Sequence, residues 1–125
     1  MINVKIIDHK EQRYDTCGDW QFDADGTLNI TVSRMPDTKY MQLIAIHEII
    51  EAILCKFFRI SEEDVDKWDL DHPNHKEPGR LKNCPYGKQH MIATIIEQYI
   101  GSIMLIDWQE YEKAVEGLVY PEKTK

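Results

Sequence analysis

The stretch that decides the fold is TKYMQLIAIHEIIEAILCKFF, residues 38–58. Its apolar residues recur every three to four positions, which is the signature of an amphipathic helix. Pro36-Asp37-Thr38 stands in front of it, so Asp37 or Thr38 is the expected N-cap, and the helix should run to about Phe58 or Arg59. On a helical wheel at about 100° per residue, Tyr40, Leu43, Leu54 and Phe58 fall within about 40° of His47. Glu51 lies about 40° away on the same stripe, whereas Gln42, Lys56 and Arg59 face the other way. A histidine and a carboxylate thus sit in the middle of the face that must be buried, with Glu48 at its border. An isolated buried carboxylate is very costly and must be paired, protonated or bound to a metal.

A second long helix is expected from about Tyr86 to Ile106. It is apolar nearly all round, as a central helix would be, and its polar exceptions are not scattered. His90, Thr94, Glu97 and Gly101 fall in a stripe about 60° wide. The economical arrangement packs the two helices antiparallel with their His-plus-carboxylate stripes facing each other. Such a pair of stripes is satisfied either by a metal-free polar network or by a shared cation.

The rest of the chain follows from weaker signals. Residues 2–7 read as a strand. Trp20 and Phe22 alternate with polar neighbours, Asp23-Ala24-Asp25-Gly26 makes a turn, and Leu28, Ile30 and Val32 alternate again, which is a hairpin pattern. Ser61 with Asp64 caps a short helix to about Trp68, and Asp107 with Glu110 caps a last one to about Glu116, closed by Gly117. Residues 69–85 hold three of the five prolines and read as a long loop carrying Asp69, Asp71, His72, His75, Glu77 and Cys84. Trp68, Trp108 and Tyr111 are expected to pack at the edge of the core. The expected fold is α+β: a small N-terminal antiparallel sheet of about three strands packed on two long helices, plus short helices.

The chain has 125 residues, one domain's worth, and can bury roughly two-thirds of its unfolded surface. Its 22 acidic and 15 basic residues give a net charge of −7, which argues against a nucleic-acid binder working through a basic patch. No apolar run, such as Leu43 to Ile46, approaches the length of a membrane span, and no charged start followed by an apolar stretch marks a signal peptide. Cys17, Cys55 and Cys84 are an odd number without a CxxC spacing, so three reduced thiols in a cytoplasmic protein are expected.

The segments HEIIEAILCK, ISEEDVDKWD, EPG, CPYGKQHMIATIIEQYI and DWQEYEKAV, taken in that order, resemble a family of small phage and prophage proteins with an HExxE motif. The resemblance covers roughly residues 40–115 and is similar in layout to the zincin metallopeptidases. It implies a zincin-like fold, with His47 and Glu51 as metal ligands and Glu48 as the general base that acts on water. A third ligand would come from the second helix, where His90 and Glu97 stand, with His72 or His75 of the loop as alternatives. Glu51 takes the place of the second histidine of HExxH, so zinc is the first expectation and manganese or iron the others. The function implied is a metal-dependent peptidase of the host cytoplasm, a monomer or homodimer acting on a peptide or protein, with no nucleic-acid or membrane partner. In that reading Leu28–Val32 pairs with an extended substrate and Tyr86 or Tyr99 steadies an oxyanion. Two other readings belong to different classes. One is a non-catalytic phage accessory protein whose buried network is structural, the other a metal-binding sensor.

Overall fold

The computed structural model describes residues 1–75 and 77–121. Three strands come first: β1 (Ile2–Ile7), β2 (Gly18–Phe22) and β3 (Leu28–Ser33). Four helices follow: α1 (Thr38–Phe57), α2 (Glu62–Asp71), α3 (Gly87–Ile103) and α4 (Trp108–Glu116). The architecture is α+β, a small sheet packed against helices, as the alternating and then helical periodicities require.

Strands β2 and β3 form the expected hairpin. Asp23 and Thr27 close it by a backbone hydrogen bond of 2.8 Å, and Gly26 turns the corner at φ +87°, a value that disfavours any residue with a Cβ. The sheet is mixed, however, rather than antiparallel throughout. Its order is β1-β3-β2, and β1 runs parallel to β3 with Ile2 opposite Leu28 and Ile6 opposite Val32. Alternation of side chains fixes which residues form a strand but carries no information on direction. The connection through residues 8–17 leaves a gap beside β1 that the hairpin fills with its second strand. Strand β3 is therefore central, and both its edges are occupied. That overturns the expectation that Leu28–Val32 could pair with a substrate; the outer edge on the cleft side belongs to β2, where Glu62 takes the Phe22 amide.

The core lies between β3 and α1. Leu28, Ile30 and Val32 alternate inward onto Leu43, Ile44, Ala52 and Cys55, all buried. Truncating Ile30 to alanine should cost about 2–5 kcal/mol, as for any well-packed interior aliphatic. Asp37 caps α1 by accepting a hydrogen bond from the Lys39 amide at 2.9 Å. The helix ends where Arg59 adopts φ +59° and the Ile60 amide returns to the Cys55 carbonyl. Helix α3 ends the same way, with Leu105 at φ +60° and the Ile106 amide on the Gly101 carbonyl, three residues earlier than the apolar run alone suggests. Ser61 caps α2, which runs on to Asp71, past the expected end at Trp68.

Helices α1 and α3 pack antiparallel. Gly101 faces Leu43 across this contact, where a Cβ would meet the leucine at 3.4 Å, an ordinary packing distance. Helix α3 is not buried all round. Met91, Ile95, Tyr99 and Ile103, spaced by four, form an exposed apolar ridge on its outer face. An apolar residue states a preference for burial, and a chain this small lacks the layers to cover both sides of α3. Among the described residues, no helix is long and apolar enough to cross a membrane.

Candidate metal centre

The two stripes meet. His47, one turn before Glu51 on α1, faces His90 and Glu97 on α3. His47 Nε2 lies 3.1 Å from Glu51 Oε2, His90 Nδ1 lies 2.9 Å from the same oxygen, and the two nitrogens are 3.3 Å apart. These atoms form a small triangle, the group among the described residues able to hold a metal ion. Tetrahedral zinc with bonds of about 2.0–2.1 Å sets adjacent ligand atoms about 3.3 Å apart, so the triangle needs only a slight expansion to accept one. Two imidazole nitrogens and a carboxylate oxygen also suit iron or manganese.

Each member is oriented from behind. His47 Nδ1 lies 2.8 Å from Glu97 Oε1, a carboxylate–imidazole contact that fixes the ring and leaves Nε2 for the triangle. Tyr111, buried on α4, lies beside Glu97 in turn. Trp20 of β2 donates from Nε1 to Glu51 Oε1 at 3.1 Å, which occupies one carboxylate oxygen and leaves the other for the centre. His90 is held from the far side by Glu77, whose Oε1 is 3.6 Å from Nε2, beyond hydrogen-bond reach.

Two glycines let the backbone come this close. A Cβ on Gly79, in the 3-10 turn Pro78–Arg80, would stand 2.5 Å from His90 Cγ and 2.8 Å from its Nδ1. A Cβ on Gly18 would stand 2.7 Å from Glu48 Cγ and from Ile44. Either side chain would push a site residue out of place.

The electrostatics follow from this crowding. Burial alone would raise the Glu51 carboxyl, but hydrogen bonds from His47 and His90 outweigh it and hold it down at about 2. Burial likewise lowers the two imidazoles, yet the carboxylates win. Glu51 and Glu97 lift His47 well above its usual range, and Glu51 with Glu77 lifts His90 to about 9. Glu48 goes the other way from Glu51. Burial, then the charge of Glu51, pushes its carboxyl well above the usual range. Its residue is only 9% exposed, it makes no hydrogen bond to a described residue, and its Oε2 lies 3.9 Å from His47 Nε2.

The centre opens into a cleft of about 130 Å³ bounded by β2, α2, the 3-10 turn and α4. The loop candidates separate here. Glu77 reaches the centre. Asp69 lines the cleft but accepts hydrogen bonds from Tyr14 (2.9 Å) and Tyr86, and burial leaves its carboxyl raised to about 6. Asp71 pairs with Lys67 at the surface, His72 bonds the Trp68 carbonyl, and His75 is exposed. Glu97 backs His47 while His90 completes the triangle. Tyr86 lines the cleft, but its hydroxyl is taken by Asp69; Tyr99 is on the exposed ridge of α3. The three cysteines are free, and burial pushes Cys84 up to about 11. Sequence reasoning did not single out Trp20, Gly18 or Gly79, and it assigned Tyr111 only to the core edge. Trp20 read as one apolar member of an alternating strand, and nothing in the spacing foretold that its indole would meet Glu51.

No protein-family model, no curated protein and no solved structure matches this chain.

Proposed function

We propose that the chain is a metal-dependent hydrolase of zincin-like layout that cuts peptide bonds, with His47, Glu51 and His90 holding one divalent ion. The observation that carries this reading is the triangle. Two ring nitrogens 3.3 Å apart aim at a single carboxylate oxygen. Without an ion that oxygen must accept from both rings while their N–H groups face each other. With one, three lone pairs converge on a point. The donor set fits zinc first, and iron or manganese after it.

A divalent ion held there supplies Lewis acidity, lowering the pKa of water and polarising a carbonyl. The chain's own residues do the rest. Glu48 is buried, unbonded and raised in pKa, which suits a base that takes a proton from water and passes it to a leaving amine. Glu97 holds the His47 ring so that Nε2, rather than Nδ1, faces the centre. Strand β2 presents its edge to the cleft. The Phe22 amide points outward to Glu62, so by the period of two the Trp20 and Gly18 amides share that side, where an extended peptide could add as a strand. A phage or prophage origin and a place in the host cytoplasm, implied by the resemblance, belong to the same proposal.

A second reading is favoured by one feature. Both nitrogens of His47 already have carboxylate partners, so a protonated His47 closes a metal-free network that fixes α1 against α3. Metal analysis of the purified protein, followed by peptide hydrolysis, decides between them. The hydrolase contains one equivalent of metal, loses it in His47→Ala, and keeps it in Glu48→Gln while losing turnover. The network contains no metal in the wild type, and His47→Ala then only destabilises the fold.

A further inference from the structure

The outer face of the helix pair takes no part in the metal centre. Met91, Ile95, Tyr99 and Ile103 of α3 are each more than half exposed. They recur every four residues and so stand in one row, turned away from His90, Thr94 and Glu97, which line the cleft. Helix α1 adds a second row. Ile53 and Phe57, 48% and 75% exposed, are one turn apart. By helical spacing they lie opposite Glu48, which packs on β2 at Gly18. The two helices lie side by side, so the rows form one apolar face directed away from both the sheet and the cleft.

Size and charge together indicate what covers it. A large side chain offers about 200 Å², so these six residues present on the order of 700–800 Å². The largest apolar patch of an ordinary monomer is about 300–600 Å², whereas one side of a stable protein–protein interface takes about 800 Å². The chain carries a net charge of −7, so two copies repel and most of their faces would set like charges together. This face is the exception. From Met91 to Ile106 the sequence holds one charged residue, Glu97, and it is buried against His47. A second copy meets it without stripping water from an ion, and a basic partner drawn by the net charge would find no carboxylate there. A row spaced by four also fits the groove beside an identical row, with the helices crossing at about −50°.

We infer that two copies of this chain associate through the outer face of the helix pair, α3 against α3 about a two-fold axis, with Ile53 and Phe57 of α1 at the flanks. Such a contact is closed, so assembly stops at two. Both clefts open away from it, and it needs no metal. The inference therefore stands apart from the hydrolase reading.

Sedimentation equilibrium of the full chain tests it. Interfaces of this size bind at about micromolar affinity or better, so the chain should sediment at twice its own mass at about 20 µM. Raising salt to about 0.5 M should not weaken the association, because apolar contact is not screened. Ile95→Glu and Tyr99→Lys each place an unpaired charge from both copies in the interface and should weaken it at least about a hundredfold. Both positions are exposed, so the circular dichroism should remain that of the folded chain. Ile2→Glu/Val4→Glu is the control, on an exposed apolar pair at the outer strand of the sheet, and should leave the dimer intact. A chain that stays monomeric at about 100 µM overturns the inference; if that monomer binds neutral phosphatidylcholine vesicles, the face belongs to a lipid surface instead. A dimer that survives both Ile95→Glu and Tyr99→Lys, or that is lost in the β1 variant, overturns the assignment to the helix pair. Zinc uptake, measured in the same samples, should be equal in Ile95→Glu and the wild type, so a failed dimer and a failed metal centre are read separately.

Discussion

Replacing Gly79 by alanine should empty the metal centre while leaving the fold intact. The added methyl would lie 2.5 Å from His90 Cγ, 2.8 Å from Nδ1 and 2.9 Å from Cδ2. Carbon atoms in ordinary contact are about 3.5 Å apart, so the ring must retreat by about 1 Å. The turn itself is poorly placed to yield instead, because Trp68 Nε1 bonds the Pro78 carbonyl at 2.8 Å. Metal–nitrogen distances tolerate about 0.2 Å, and lesser disturbances behind a ligand already cost about tenfold to a hundredfold in affinity. Zinc affinity, measured by competition with a chromophoric chelator, should therefore fall at least tenfold. Gly26→Ala is the control: its Cβ meets nothing within 4 Å, but φ is +87°, so it should lower stability and leave affinity unchanged. In a cycle with His90→Ala, the Gly79 substitution should cost nothing further, since the ring it displaces is gone. Wild-type affinity in Gly79→Ala would refute the argument that this glycine exists to seat His90.

Other outcomes follow from the same geometry. Glu97→Gln removes the charge behind His47 Nδ1 and should weaken zinc binding about tenfold to a hundredfold by the same chelator assay. Trp20→Phe deprives the buried Glu51 Oε1 of its donor and should cost about 1–3 kcal/mol of stability in urea unfolding, with weaker metal binding as well. The metal-free protein should be most stable in thermal melts at about pH 4.5 and lose stability above it, because the raised carboxyls of Glu48 and Asp69 begin to lose their contribution there and the imidazoles follow. His90, raised from 6.5 to about 9, contributes fully below 6.5 and loses that contribution as pH rises through 9. Glu51, lowered from 4.5 to about 2, contributes above 4.5 and loses it as pH falls toward 2. Zinc should reverse the alkaline decline, because the imidazoles must shed protons to bind it. A flat profile without metal would contradict the hydrogen bonding at the centre.

The site was more legible in the sequence than the sheet. His47 and Glu51 stood out because they break an otherwise apolar stripe, and a buried ionisable group needs a partner that the sequence must supply nearby. His90 and Glu97 were found by the same reasoning on α3, and the two stripes do meet. Their division of labour was not legible. Which residue faces the triangle and which backs His47 depends on the axial offset of two helices, which periodicity does not report. The parallel pairing of β1 was hidden because strand direction depends on the path of residues 8–17, not on alternation. The apolarity of α3 overstated its burial for a similar reason: periodicity reports which faces prefer to leave water, not how many neighbours exist to cover them. Trp20, Gly18 and Gly79 were invisible as site residues because their roles are contacts between elements far apart in the chain.

The central claim is that two imidazoles and a carboxylate from two buried helices share one metal ion. X-ray absorption at the metal edge of the purified, zinc-loaded protein tests it directly. The account predicts one zinc per chain with two nitrogen ligands from histidine and light oxygen ligands, a spectrum that loses one histidine in His90→Ala and another in His47→Ala. A protein that takes up no metal, or a zinc spectrum unchanged by both substitutions, would contradict it.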